Sequence, residues 1–202
     1  STGLLNHLIM IYPNAQFTIA CGPAAAAIFE SVPGLERLII LDKMLLSLHW
    51  LRMWLICLGS FWDLIVDLRN APMTYILPTR MQKHLGRPRA KMHRVVHIAS
   101  VLGLQDTPPS PKMWLSSEHH DLAADLIPDQ GPVLAIGATA NWDAKMWAPE
   151  KFSELIERLA LAPGLLHNCR VAFFGRDDER PKIIRLIESI PVGRRLDFVG
   201  NL

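Results

Sequence analysis

Short apolar runs and longer amphipathic stretches take turns along the chain. The runs at 16–20 (QFTIA), 37–41 (RLIIL), 63–70 (DLIVDLRN), 132–137 (PVLAIG), 170–175 (RVAFFG) and 197–200 (DFVG) have the length and bounding residues of strands. Between them, the spacing predicts helices over 3–11, 24–31, 94–102, 118–127, 149–160 and 179–189. In the helix at 149–160, Pro149 suits the first turn, and Phe152, Leu155, Ile156 and Leu159 form one apolar face. Strands and helices in alternation imply an α/β fold with mainly parallel sheets. The run DLIVDLRN, apolar and then closed by polar residues, suits a buried parallel strand with a functional carboxyl edge.

Residues 44–62 (MLLSLHWLRMWLICLGSFW) break this rhythm, being apolar throughout and about as long as a bilayer-spanning helix. His49 and Arg52 sit in the middle, where a charge within hydrocarbon costs about 2.5–3.5 kcal/mol, so a buried or interfacial helix is expected. Leu48, Leu51, Leu55 and Leu58 share one face of that helix, with Trp50 and Trp54 beside it. The proline-rich segment 103–114 (GLQDTPPSPKMW) reads as a connector, which divides the chain into domains at 1–112 and 113–202. The second series holds three strands where a doubly wound domain usually has five or six, so it is expected to be truncated.

Composition adds limits. Half of the 202 residues are apolar and 20% are charged, an ordinary globular balance. The net charge of +2 names no partner by itself. Cys21, Cys57 and Cys169 are odd in number and lack a CxxC spacing, which argues against a disulfide framework or zinc site and for a reducing, cytoplasmic setting. The first residues have neither an initiator Met nor the build of a secretory signal, and read as interior sequence.

Three segments can carry chemistry. GATANWDAKMW (137–147) leaves a strand and enters a helix, where free N–H groups and the helix dipole favour anions. Thr139 and Asn141 can donate to phosphate and Lys145 can supply a point charge, although no P-loop or GxGxxG pattern is present and an ordinary polar loop is the alternative. GRDDERPK (175–182) lies at another carboxyl edge. Asp177 or Asp178 can cap the next helix, while Glu179 can accept from ribose hydroxyls. The basic run at 80–94 holds Arg80, Lys83, Arg87, Arg89, Lys91 and Arg94 without an acid. It fits a solvated face, an anionic acceptor or an anionic membrane surface. Nucleic acid fits least, since the run has no aromatic residue for base stacking. The adjacent His119 and His120 cannot share one helical face as metal ligands.

Six blocks in order, YPNAQFTIACGP…VPGLERLIILDK, FWDLIVDLRN, HRVVHIASVLGL, GATANWDAKMWAPEKFSELIERL, VAFFGRDDE and LDFVGNL, together resemble glycosyltransferase family 9, the heptosyltransferase family of lipopolysaccharide assembly. The resemblance implies a GT-B architecture of two Rossmann-like domains, the first on the acceptor side and the second binding a nucleotide sugar. It implies transfer of heptose from an ADP-activated donor to the anionic lipopolysaccharide inner core, at the cytoplasmic face of the inner membrane. Neither metal nor cofactor is expected. Carried over by position, Thr139 and Lys145 contact the donor phosphates and Glu179 its ribose, with Asn141 beside them. Arg69, Arg80, Lys83 and Arg87 are the acceptor-side candidates. The family's Gly-Asp motif, with the Asp that deprotonates the acceptor, is expected before Ser1, and its Asp-x-Gly-x-x-His segment after Leu202. The chain as it stands is therefore expected to be inactive, and a non-catalytic fragment that binds a nucleotide or a partner is the alternative.

Overall fold

The computed structural model describes residues 1–42, 48–88, 91–161 and 166–201. They form two units, Ser1–Leu122 and Ala123–Leu202. The division falls inside helix α5 (Ser117–Leu126), and the connector packs onto the first unit. Trp114 is buried with Phe29 and Val32, and the N–H of Lys112 donates to Thr2 Oγ1. Gly3 lies so close beneath the connector that an added Cβ would collide with the carbonyl oxygens of Pro109 and Ser110.

The first unit comprises α1 (Thr2–Ile11), β1 (Phe17–Cys21), α2 (Pro23–Ala26), β2 (Leu35–Ile40), α3 (Leu48–Leu58), β3 (Trp62–Asp67), β4 (Thr79–His84) and α4 (Arg94–Ala99). Parallel pairing joins β1 to β2 and β3 to β4 as two separate ladders. Side-chain alternation assigns the layers. Leu38 packs with Leu5 and Ile9 of α1, whereas its neighbour Ile39 packs with Met53 and Cys57 of α3. In β3, Val66 joins Leu4 of α1, and Ile65 joins the α3 cluster. Successive strand residues point to opposite faces, so α1 covers one face of both ladders and α3 covers the other.

Three expectations change here. The helix over 24–31 shortens to Pro23–Ala26, since the N–H groups of Ile28, Phe29 and Val32 bond three residues back and turn Phe29 and Val32 into the core. The basic run, read as a surface segment, contains strand β4, in register from Trp62↔Thr79 to Asp67↔His84. The leucines of α3 do share a face, but it is the uncovered one, and the buried side of that helix holds Met53 and Cys57. Residues 43–47 of the apolar stretch lie outside the described residues. Among those described, no helix is long and apolar enough to cross a membrane.

In the second unit, β5 (Val133–Ile136), β6 (Arg170–Phe173) and β7 (Arg195–Asp197) form a parallel sheet with β6 at its centre. A central strand covered on both faces needs continuous apolar sequence, and Val171, Ala172 and Phe173 are each 0% exposed. Ile156 of α6 (Pro149–Ile156) and Ile183, Leu186 and Ile187 of α7 (Arg180–Glu188) complete this core. The Arg194 guanidinium donates to the carbonyl oxygens of Cys169 and Ala160, tying the entry to β7 to the entry to β6. Phe173→Ala is expected to cost about 3–5 kcal/mol through the cavity it leaves, measured as a lower urea midpoint with an unchanged slope.

Candidate functional site

Parallel strands align their carboxyl ends on one edge, and loops leaving that edge are where α/β sheets meet ligands. In the second unit the loops after β5 and β6 are joined by side chains. Glu179 Oε2 accepts from Thr139 Oγ1 at 2.7 Å and from the N–H of Arg176 at 3.1 Å. Gly175 permits the approach, since a Cβ there would stand only 3.0 Å from Thr139 Oγ1. The Thr139 hydroxyl above all, then the Arg176 N–H, hold the Glu179 carboxyl below its usual range, and the Arg176 and Lys182 charges act the same way. Glu179 is therefore an anion at neutral pH.

Further bonds fix the start of α7 to the same edge. Arg180 donates to Asp197 Oδ2 at 2.7 Å and to the carbonyl of Val199 at 2.6 Å. Gly200, at φ 75°, donates its N–H to Gly175 O at 2.9 Å, and a Cβ on it would fall 2.7 Å from Asp177 Cβ. Lys182 Nζ meets Asp143 Oδ1 at 2.6 Å, linking α7 to the β5 loop a second time. That pair is exposed, so it contributes little to stability, but it limits where the turn Asp143–Lys145 can lie.

Lys145 and Asn141 are exposed on the outer part of this loop, where the Lys145 N–H closes a turn onto Trp142 O at 2.9 Å. Trp147 packs edge-on against Phe152, whereas Trp142 is 62% exposed. Thr139 and Glu179 are thus directly bonded, with Asn141 and Lys145 on the same loop as Thr139. The arrangement can accept a hydroxyl at a carboxylate and offer an ammonium to an anion. Three acids, Asp177, Asp178 and Glu179, precede α7 and disfavour phosphate there. The ammonium of Lys145, ahead of α6, suits it better.

The carboxyl edge of the first unit holds a cluster that sequence reasoning missed. Asp67, 7% exposed, accepts from the N–H groups of Arg69, Asn70 and Ala71 at 2.7, 2.9 and 2.7 Å and from Thr74 Oγ1 at 2.7 Å. His84 Nδ1 stands 3.6 Å from Asp67 Oδ2, and Tyr75 stacks on the imidazole at 3.8 Å while donating to Asn70 Oδ1. Only the polar close of DLRN hinted at this. Thr74, Tyr75 and His84 had no pattern to mark them.

The acceptor-side candidates are spread over this unit. Arg69 is exposed just beyond β3, and Arg87 is exposed beyond β4. Arg80 bridges Asp63 at 3.6 Å at the start of β4, and Lys83 lies three residues further along, on the opposite face by strand alternation. An open depression of about 440 Å³ is lined by Pro88, Lys91, Met92, Arg94 and His97. Among the described residues, no group of three or more His, Cys, Asp or Glu is placed to hold a metal ion.

Two known structures share this fold. The glycosyl transferase family 9 from Veillonella parvula DSM 2008 matches 100% of this chain with a TM-score of 0.78 and 18% identity. E. coli heptosyltransferase WaaC with ADP matches 97% with a TM-score of 0.65 and 16% identity. The chain spans 65% and 68% of the lengths of those proteins. No curated protein sequence matches it. Parallel sheets with polar carboxyl edges, likened in this way, define the α/β fold of GT-B-type glycosyltransferases. More narrowly, the chain belongs to Glycosyltransferase family 9 (heptosyltransferase), whose sequence pattern matches residues 74–191.

Thr139→Val removes the largest cause of the low Glu179 pKa. The carboxyl is then expected to titrate closer to its ordinary range, as read by carbon NMR. With the folded pKa depressed, any stability from this carboxylate is complete above the ordinary carboxyl range and is lost as pH falls through the folded value. The valine variant should show less of that acid loss.

Proposed function

We propose that this chain acts in a transferase that moves a heptose from an ADP-activated donor to the lipopolysaccharide inner core. The second unit takes the donor and the first takes the anionic acceptor. Family membership and the ADP named with WaaC support the class of donor. The observation that carries the reading is the Glu179 carboxylate, bonded by Thr139 and held at the sheet's carboxyl edge, beyond the strand that pairs with the one bearing the loop of Lys145. There it accepts from the two ribose hydroxyls and keeps the Thr139 proton, while Asn141 and Lys145 meet the diphosphate.

In the transfer, an acceptor hydroxyl oxygen bonds to the anomeric carbon as the bond from that carbon to the diphosphate breaks, with inversion. The hydroxyl proton passes to a carboxylate base, and ADP departs with its new charge met by the Lys145 ammonium. Arg69, Arg80, Lys83 and Arg87 offer cations to an acceptor rich in carboxylate and phosphate. The working place is the cytoplasmic face of the inner membrane, and no metal takes part.

A second reading, nucleotide binding without transfer, is favoured for the 202-residue chain by the state of Asp67. This buried carboxylate of the first unit already accepts four hydrogen bonds, which makes it a poor base.

Calorimetry on the chain is expected to show ADP binding, weakened about tenfold, or ~1.4 kcal/mol, by Lys145→Ala. Glu179→Ala should weaken ADP but leave pyrophosphate unaffected. Absence of any ADP binding would refute the donor site, and turnover of an ADP-heptose by this chain would refute the second reading.

A further inference from the structure

Among the described residues, the Tyr, Phe and Trp rings exposed by half or more are those of Tyr12, Phe61, Tyr75 and Trp142. Of these, Tyr75 has a second ring stacked behind it. The imidazole of His84 lies within 8° of parallel at a centroid distance of 3.8 Å, so the exposure of Tyr75, 52%, belongs to its opposite face and its rim. The stack stands at the carboxyl edge of β3 and β4, where Asp67 and His84 are register partners. Ligands of α/β sheets meet the chain at such an edge.

Each part of the stack is fixed by its surroundings. His84 Nε2 is 3.2 Å from Gln82 Oε1, and Nδ1 is 3.6 Å from Asp67 Oδ2. The turn that carries Tyr75, Pro72–Ile76, is held by Thr74 Oγ1, which donates to Asp67 Oδ2 at 2.7 Å. The phenol hydroxyl donates to Asn70 Oδ1 at 2.8 Å. A ring already held in this way loses little freedom when a ligand settles on it, and preorganisation of that kind lets a single stacking contact register as affinity.

The open face is a π surface, negative toward a ligand. A pyranose matches it, because its axial C–H groups make a flat face of slight positive charge and its hydroxyls project around the rim. Beside Tyr75, the phenol oxygen keeps lone pairs after donating to Asn70, and the Asn70 amide has N–H groups to give, so a hydroxyl can be met in either sense. Arg69, exposed next to Asn70, supplies a cation for a carboxylate or phosphate on the same sugar. An acyl chain would leave these polar groups without partners. A nucleotide carries its charge a ribose away from the ring that stacks, and so does not set it against Arg69.

We propose that Tyr75, backed by His84, is the platform on which the first unit stacks the ring of an anionic pyranose, with Asn70 meeting its hydroxyls and Arg69 its acidic group. Naming that ring as part of the acceptor rests on the reading of the first unit as the acceptor side. The platform itself rests on the geometry of these residues and does not depend on the donor site.

The chain holds two tyrosines, Tyr12 and Tyr75, so tyrosine labelled at its ring carbons gives two sets of NMR signals, told apart by Tyr12→Phe. Titration with methyl β-glucuronide, a pyranose bearing a carboxylate, is expected to shift the Tyr75 set and leave the Tyr12 set in place. Saturation transferred from the protein should reach the protons on one face of the sugar most strongly. Tyr75→Ala should weaken sugar binding about fivefold or more, Tyr75→Phe should keep most of it, and Arg69→Gln should remove the preference for the glucuronide over methyl β-glucoside. If Tyr75→Ala does not fold, the labelled tyrosines of the unaltered chain decide the matter. No shift of the Tyr75 set, with sugar raised far enough to fill a millimolar site, overturns the proposal, as does undiminished sugar binding by folded Tyr75→Ala. Movement of the Tyr75 signals by ADP in place of the sugar would assign the ring to a base and likewise overturn it. A chain that answers to the sugar but binds no ADP would support the platform while refuting the donor site.

Discussion

Every strand pairing recorded in this chain is parallel, and a parallel pair cannot be closed by a tight turn. The chain must cross over after each strand, so all the carboxyl ends in a ladder share one edge, and the loops leaving it gather there. In the second unit this brings residue 139 into bonding distance of residue 179, forty positions apart. In the first unit it makes Asp67 and His84 register partners at the ends of β3 and β4, with the imidazole roofed by Tyr75. Neither the Thr139–Glu179 bond nor the Asp67–His84 pairing joins neighbours in sequence. Both follow from the direction of the strands.

The two edges settle their carboxylates differently. Asp67 is buried and accepts three N–H groups and a hydroxyl, which organise the turn through Asn70, at φ 59°, on the way to β4. Removing it would strand the buried Ala71 N–H, which is costly to leave unpaired, and release the N–H groups of Arg69 and Asn70. Glu179 is only partly covered and joins two loops without being enclosed by them. A carboxylate that is enclosed and saturated is a building element. One that is held in place but left at the surface can still meet a solute.

How much of this could be read from sequence depended on burial. Strand β6 was legible because a strand covered on both faces must be apolar at each position, and Val171, Ala172 and Phe173 are. Strand β4 was not, because its exposed Arg80 and Lys83 hide the pattern, and its partner β3 decides that it is a strand at all. In α3, periodicity correctly grouped the leucines on one face, but spacing cannot say which face of an apolar helix is covered. Trp50, Met53, Trp54 and Cys57 supplied an equally good face, and the ladders took that one. Thr139 and Glu179 were each singled out from their loops, while the bond between them was invisible until the crossovers were folded. The Asp67 cluster draws on Thr74, Tyr75 and His84, whose surroundings carry no signal of their own.

The recorded bonds to Glu179 both fall on one oxygen, Oε2, and one of the donors is the N–H of Arg176, which cannot reverse its role. An amide in place of the carboxylate would therefore have to put its own oxygen at that position. Its NH₂ would then occupy the place of Oε1. A glutamine at 179 would keep the shape and both loop contacts, yet present a donor where the native residue presents an acceptor. The polarity of this corner is thus set by the fixed direction of a single main-chain N–H, and an isosteric exchange inverts it without disturbing the fold.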